Sequence, residues 1–463
     1  MISRWGKAGG YRDVLAISLP LIASMGSITL MEFTDRVFLA NYSLDAISAA
    51  LPAGVTSFLF ISFFMGVGNY TNAFVAQYTG AQAPERVGAA LWQGIYFSLL
   101  SSFFLASLYF LAKPLFQLID HPPQIQELEI TYFRIVICGA GLVVLSSVLS
   151  CFYSGRGLTR IVMFIHLIGA LVNIPLDYCV INGIGPFPEL GIAGAGIATV
   201  TAFGVITLLF CLAVFSSKNR KRFLTWQKRS FDFWLFSRLM RFGLPSGVQM
   251  FLEVFSFTFF ILMLGRLGDR VMAISNIVLS IESLSFLPMI GMHIGISTLV
   301  GQAVGNKRPE DGVFASNSAL HLVLIYMFFI AITFTIFPRP LLSLFKPQDI
   351  PAGAYTEIVD AGVVLLRFVA IYCFFDALNL VYSGALKGAG DTAFIMKAIG
   401  ILALFFMILP IYLVVEVLSW GMYTAWFILT LYICLLGIIF MLRYKKGAWK
   451  KMQVIEETIN KSG

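Results

Sequence analysis

Charge is what this sequence has least of. Only 12% of its 463 residues are Asp, Glu, Lys or Arg, against about 25% in a soluble globular domain, so a soluble fold is excluded. Catalytic signatures are also missing. There is no His-Glu-x-x-His pair, no Walker-type phosphate loop and no Gly-x-Ser-x-Gly elbow, so ATP hydrolysis and intramembrane proteolysis have no support and no enzyme is expected. The six cysteines (Cys138, Cys151, Cys179, Cys211, Cys373, Cys434) lie in apolar segments without metal-ligand or disulfide spacing and read as small buried hydrophobes. Of the four histidines, His121 reads as loop, and His166, His293 and His321 as satisfied core or interfacial residues rather than ligands. No cleavable leader is expected, because residues 1–13 are polar and basic and the first apolar run is long enough to span a bilayer.

Hydrophobic residues make up 59% of the chain, and each membrane crossing needs about 20 of them in sequence. Apolar runs bounded by Gly, Pro and charge predict twelve helices near 14–40, 46–78, 86–112, 128–153, 160–183, 190–216, 240–266, 270–300, 312–338, 354–384, 393–416 and 420–443. The expected fold is therefore an all-α membrane protein with twelve transmembrane helices. The net charge of +8 sits in the loops, and 24 of the 32 Lys and Arg fall on the side of both termini. Such asymmetry reports orientation rather than nucleic-acid binding and predicts cytoplasmic termini in the cell (inner) membrane.

The chain repeats itself at an offset of 225 residues. Phe74-Val-Ala-Gln-Tyr-Thr-Gly-Ala-Gln-Ala-Pro-Glu85 returns as Leu299-Val-Gly-Gln-Ala-Val-Gly-Asn-Lys-Arg-Pro-Glu310. The same offset pairs Leu19-Pro20 with Leu244-Pro245 and Gly66 with Gly291. A period this long means a duplicated domain. Six helices per copy make the copies parallel repeats that enter from the same side. The expected organisation is an N-lobe (1–215), a basic cytoplasmic linker (216–239), a C-lobe (240–443) and a tail (444–463). The major facilitator pattern also has two six-helix halves, but residues 76–88 lack its Gly-Asp-Arg-Gly-Arg-type loop.

Ionisable groups at membrane depth cost several kcal/mol and so demand a reason. Five acids stand out: Asp35, Asp177, Glu253, Glu282 and Asp376. Glu32 shares a helix face with Asp35. Two such carboxylates exchange protons near neutral pH when burial and mutual repulsion raise their proton affinity; the other reading is that Arg36 neutralises one, or that Glu32 snorkels to an interface. Asn173 and Asp177 also share a face, and Pro175 between them frees a carbonyl. These hard oxygens suit a proton or Na⁺, which would make Asp35, Asn173 and Asp177 its ligands, and local irregularity is expected there. The alternative is a polar clasp between helices. Glu253 stands among Phe251, Phe255, Phe257, Phe259 and Phe260, a seat for an organic cation. Asp376 faces together with Asn379, and Arg367 is expected to pair with Asp360 or Asp376. Glu282 is a third acid of the second half, beside Ser283 and Ser285.

These motifs resemble the multidrug and toxic compound extrusion (MATE) family of secondary transporters. The resemblance rests on Gly26-Ser-Ile-Thr-Leu-Met-Glu-Phe-Thr-Asp35, the duplicated Gln-x-x-Gly turn, Gly183-Ile-Gly-Pro-Phe-Pro-Glu-Leu-Gly191 and Gly384-Ala-Leu-Lys-Gly-Ala-Gly-Asp-Thr392. It implies two six-helix lobes that export chemically diverse, often cationic compounds in exchange for H⁺ or Na⁺, with no cofactor beyond that ion. It places the family's coupling residues on Asp35, Asn173 and Asp177, with Thr199 as a fourth member, and its second-lobe acids on Glu253 and Asp376. The chain holds both sets, and Glu32 is an addition to the pattern. The expected partners are small-molecule drugs or dyes and the lipid bilayer, with the chain acting as a monomer. The rival reading is a lipid-linked oligosaccharide flippase of the same superfamily, which would want cationic residues where this chain carries acids.

Overall fold

The computed structural model describes residues 2–118, 121–345 and 352–456, and these residues are almost wholly helical. Twelve helices are long and apolar enough to cross a membrane. In the first half they are α1 (Tyr11–Tyr42), α2 (Leu44–Gly80), α3 (Pro84–Gln117), α4 (Pro123–Ser154), α5 (Thr159–Asn182) and α6 (Gly191–Val214). In the second half they are α7 (Phe233–Arg266), α8 (Asp269–Gly305), α9 (Pro309–Ile336), α10 (Tyr355–Ala389), α11 (Thr392–Val417) and α12 (Gly421–Lys445). All twelve expected helices are present, with ends displaced by a few residues. Helix ends follow local chemistry: Ser43 caps α2, Pro starts α3, α4 and α9, and Gly183 closes α5 in the left-handed conformation.

The duplication survives in the backbone. Gln82 and Lys307 both have positive φ, 56° and 58°, although neither is glycine. Each closes the helix before it by the same pair of bonds: Ala81 N to Gln77 O and Asn306 N to Gln302 O, both 2.9 Å, then Gln82 N to Thr79 O and Lys307 N to Val304 O. A left-handed non-glycine residue costs of order 1–2 kcal/mol, so its occurrence at equivalent places in both copies marks a turn held by its surroundings.

The chain forms two compact units. One comprises residues up to Ile22, Leu252–Val300 and Arg308–Met452; the other comprises Ala23–Phe251, Gly301–Lys307 and the tail from Gln453. The basic linker lies inside the second unit, and divisions between the units fall within α1, α7 and α8, the first two shortly after Pro20 and Pro245. The linker is bolted to α3. Trp92 and Tyr96 donate to the Thr225 and Arg229 carbonyls, and the Gln93 amide bonds both Ser230 O and Asp232 N.

The irregularity expected at Pro175 is not there, because α5 runs unbroken through it. One lost backbone bond is tolerated inside a packed helix. Irregularity appears in α11 instead, where π-helical turns at Leu404–Ile408 and Leu413–Val417 flank Pro410.

Two apolar layers in the second unit enclose a polar band. Met31, Ala170 and Ala202 pack together on one side. On the other, Leu39, Ala46, Ala49, Ile181, Ile192 and Ala195 form a tight cluster. Between these layers α1 contributes Asp35, α5 contributes Asn173 and Asp177, and α6 contributes Thr199.

Candidate functional site

Helical spacing puts the polar band together. Asp35 lies one turn beyond Met31 and one turn before Leu39, so it points the same way as both. Asp35 is 8% exposed, and Asn173 and Asp177 are fully buried. Thr199 Oγ1 donates to Asp35 Oδ2 at 3.0 Å. The Asp35 and Asp177 carboxyls lie close enough to interact, and Tyr132 of α4 lies within range of both.

This band is under-satisfied. Both polar atoms of the Asn173 amide are buried without a hydrogen-bond partner, and the Asp35 and Asp177 carboxyls face each other at hydrogen-bonding range, which requires a proton or a cation between them. An unmet buried polar atom costs about 1–3 kcal/mol, more where charge is involved. Two carboxylates, an amide oxygen and a hydroxyl form an all-oxygen donor set that suits H⁺ or Na⁺. Among the described residues no three His, Cys, Asp or Glu gather to hold a metal ion, so the donors here are two acids completed by neutral oxygens.

Glu32 sits at the edge of this group: its side chain is exposed, yet it stays within electrostatic range of Asp35 and Tyr132. Arg36 is exposed too and forms no ion pair among the described residues. Three positions on a helix leave two side chains about 60° apart, so Glu32 shares the face of Asp35 but lies off its buried centre.

The acids of the second half form a looser group in the other unit. Asn379 Nδ2 donates to Asp376 Oδ1 at 3.1 Å, and Asp376 is 7% exposed. Glu282 and Glu253 are each within electrostatic range of Asp376, and the Tyr372 hydroxyl faces Glu282. Glu253 and Phe257 are exposed. Phe260, expected beside Glu253, is instead a core ring packed edge-on against Trp426. Arg367 forms no ion pair among the described residues: Asp360 pairs with Arg339 at 2.7 Å and Asp376 is met by Asn379.

Sequence reasoning missed Tyr132, Tyr372 and Tyr432, which approach these acids from α4, α10 and α12. A hydroxyl on an aromatic ring carries no positional signal in a chain with 17 tyrosines. The histidines are satisfied as expected: His166 with Ser24, His293 with Leu380 O at 3.0 Å, and His321 with Tyr11 at 3.0 Å.

Twelve helices long and apolar enough to span, in two sequence copies, define a multi-pass membrane protein. The family model MatE matches residues 20–179 and 245–413, two stretches that start at the same 225-residue offset. The chain belongs to the MATE family. It is 26% identical over 422 residues to the multidrug resistance protein NorM of Aliivibrio fischeri, covering 89% of this chain and 90% of that protein. It is 27% identical over 393 residues to the multidrug resistance protein PmpM of Pseudomonas aeruginosa, covering 82% and 79%. A MATE family multidrug resistance transporter solved in an outward-facing conformation has the same fold, with a TM-score of 0.86 at 20% identity over 96% of this chain and 97% of that one.

Proposed function

We propose that this protein is a multidrug exporter of the inner membrane that exchanges organic, often cationic and amphipathic compounds for H⁺ or Na⁺, with both termini in the cytoplasm. The relatives named as multidrug resistance proteins support the export reading. The observation that carries the coupling reading is the pair of buried acids Asp35 and Asp177 facing each other, with Thr199 donating to Asp35 and the buried Asn173 amide left without a partner. Such a group is stabilised by taking up a cation or a proton, and it relaxes when it does so.

The second group supplies the drug side. Glu253 and Asp376 meet a cationic centre, while the exposed ring of Phe257 meets its flat hydrophobic body. An ion can drive export only if it binds the drug-loaded and drug-free states differently. Binding at Asp35 favours the state of lower drug affinity, and the two repeats then open alternately to either side. One chain holds both groups, so a monomer suffices. The flippase reading finds no cationic residue in either group.

Proteoliposomes carrying an imposed pH gradient or an imposed Na⁺ gradient test this, with transport of a cationic dye as the readout. Dye movement under one gradient alone names the ion. No movement under either refutes antiport.

A further inference from the structure

We propose that the cavity beneath the turn between α2 and α3 binds a phosphate-bearing anion. None of the cavity's lining residues belongs to either acidic group. It measures about 250 Å³ and is lined by Tyr78, Thr79 and Gln82 of that turn, Arg156 of the α4–α5 turn, and Arg222 and Phe223 of the linker. That volume falls below the roughly 300–1,000 Å³ of drug-sized pockets, so it fits a headgroup-sized ligand rather than an export substrate.

Two cations are held here without an anion. The Arg156 guanidinium lies 4.0 Å from the Phe223 ring centre and 4.6 Å from that of Phe152, and Arg222 lies 5.4 Å from the same Phe223 ring. Stacking on rings fixes the guanidinium planes but leaves their edges to recognise a ligand. Neither arginine forms an ion pair among the described residues, and Arg156 Nη1 is buried without a hydrogen-bond partner. Burial lowers the Arg156 pKa to about 10, against an opposing pull from Tyr153 and with a smaller push from the charge of Arg222.

The neighbouring acids are engaged elsewhere. The Tyr78 hydroxyl donates to Glu456 at 2.7 Å, Arg86 lies 3.9 Å from the same carboxylate, and Glu85 pairs with Lys228 at 3.4 Å. The neutral lining is satisfied too: Thr79 donates to Val75 O and the Gln82 amide to Thr79 O. The unmet demand is therefore for negative charge alone. A phosphomonoester carries close to two charges at neutral pH and takes guanidinium groups in bidentate fashion. It matches this pair better than a single carboxylate does. Such a group reaches this face as an anionic lipid headgroup or as a free phosphate.

Thermal unfolding of the full-length protein tests the site. It is measured in phosphatidylcholine nanodiscs, in discs doped with phosphatidic acid, and in undoped discs with inorganic phosphate against chloride at equal ionic strength. Stabilisation by phosphatidic acid alone identifies a lipid headgroup, and stabilisation by inorganic phosphate as well identifies a free anion. Arg222→Gln should weaken the effect about tenfold, the loss of one hydrogen bond to a charged group. Lys221→Gln removes the same charge outside the lining and should leave the effect intact. Arg156→Gln should match Arg222→Gln; if it fails to fold, the exposed Arg222 carries the test. No stabilisation by either anion overturns the proposal, and so does equal loss in Lys221→Gln, which would mean diffuse attraction to the linker.

Discussion

Gly80 packs against the main-chain carbonyl of Gln302, so close that an added Cβ would lie 2.0 Å from the oxygen. Gly305 stands in the same relation to Gln77, also at 2.0 Å. The two copies of the repeated turn thus meet through their glycines, within one compact unit. A backbone atom cannot swing aside as a side chain can. Gly80→Ala and Gly305→Ala should each destabilise by about 1–3 kcal/mol or more. Gly204→Ala meets only a methyl of Leu142 at 3.8 Å and should be neutral or mildly stabilising. Melting of the purified protein in detergent checks all three, and a melting point for Gly80→Ala equal to that of the parent would show that the turns are not in contact.

Asp35→Asn is expected to abolish dye export under either gradient while the protein stays folded in the membrane, because a permanently neutral group cannot release and take up an ion. Thr199→Val removes one hydrogen bond to that carboxylate, a loss of about 1.5–3 kcal/mol. It should shift the ion concentration needed for half-maximal export by roughly tenfold or more without abolishing transport. Full export by Asp35→Asn would sink the coupling assignment.

Glu253→Gln and Asp376→Asn should behave differently from Asp35→Asn. Their prediction is weaker binding of cationic dyes with little change for neutral ones, and an unchanged ion dependence for whatever transport remains. Equilibrium dye binding to purified protein reads the first effect and proteoliposome flux the second. Equal loss for cationic and neutral compounds would mean a structural role.

The ion pair between Arg443 and Asp391 offers a test of packing within its own unit. Arg443 Nε lies 2.7 Å from Asp391 Oδ2, and the Asp391 side chain is only 6% exposed. Arg443→Met leaves that carboxylate buried and unpaired, which should cost about 3–5 kcal/mol. Adding Asp391→Asn should recover part of the loss, a coupling that a double-mutant cycle on unfolding measures.

The twelve spans, their order and the orientation expected from loop charge are properties of composition along a line. Burying an unpaired backbone in hydrocarbon leaves helices as the only choice for such runs, so the fold class follows from the sequence alone. The duplication was equally legible, since glycine and proline mark backbone demands that recur wherever the turn recurs, down to the matched positive φ of Gln82 and Lys307. The acids were legible because charge at membrane depth is costly. Their grouping was not. Asp35 and Asn173 are 138 residues apart in the chain, and only the packing of α1, α5 and α6 between two apolar layers joins them and leaves Glu32 exposed at the edge.

The same holds for the linker. Its basic composition is legible, but its attachment to α3 runs through main-chain atoms, which carry no sequence signature. Which residues are acidic, apolar or flexible is written in the chain. Which acids meet, which arginine lacks an ion-pair partner among the described residues and which glycine touches a carbonyl depend on distances between segments far apart in sequence, and only the folded helices set those distances.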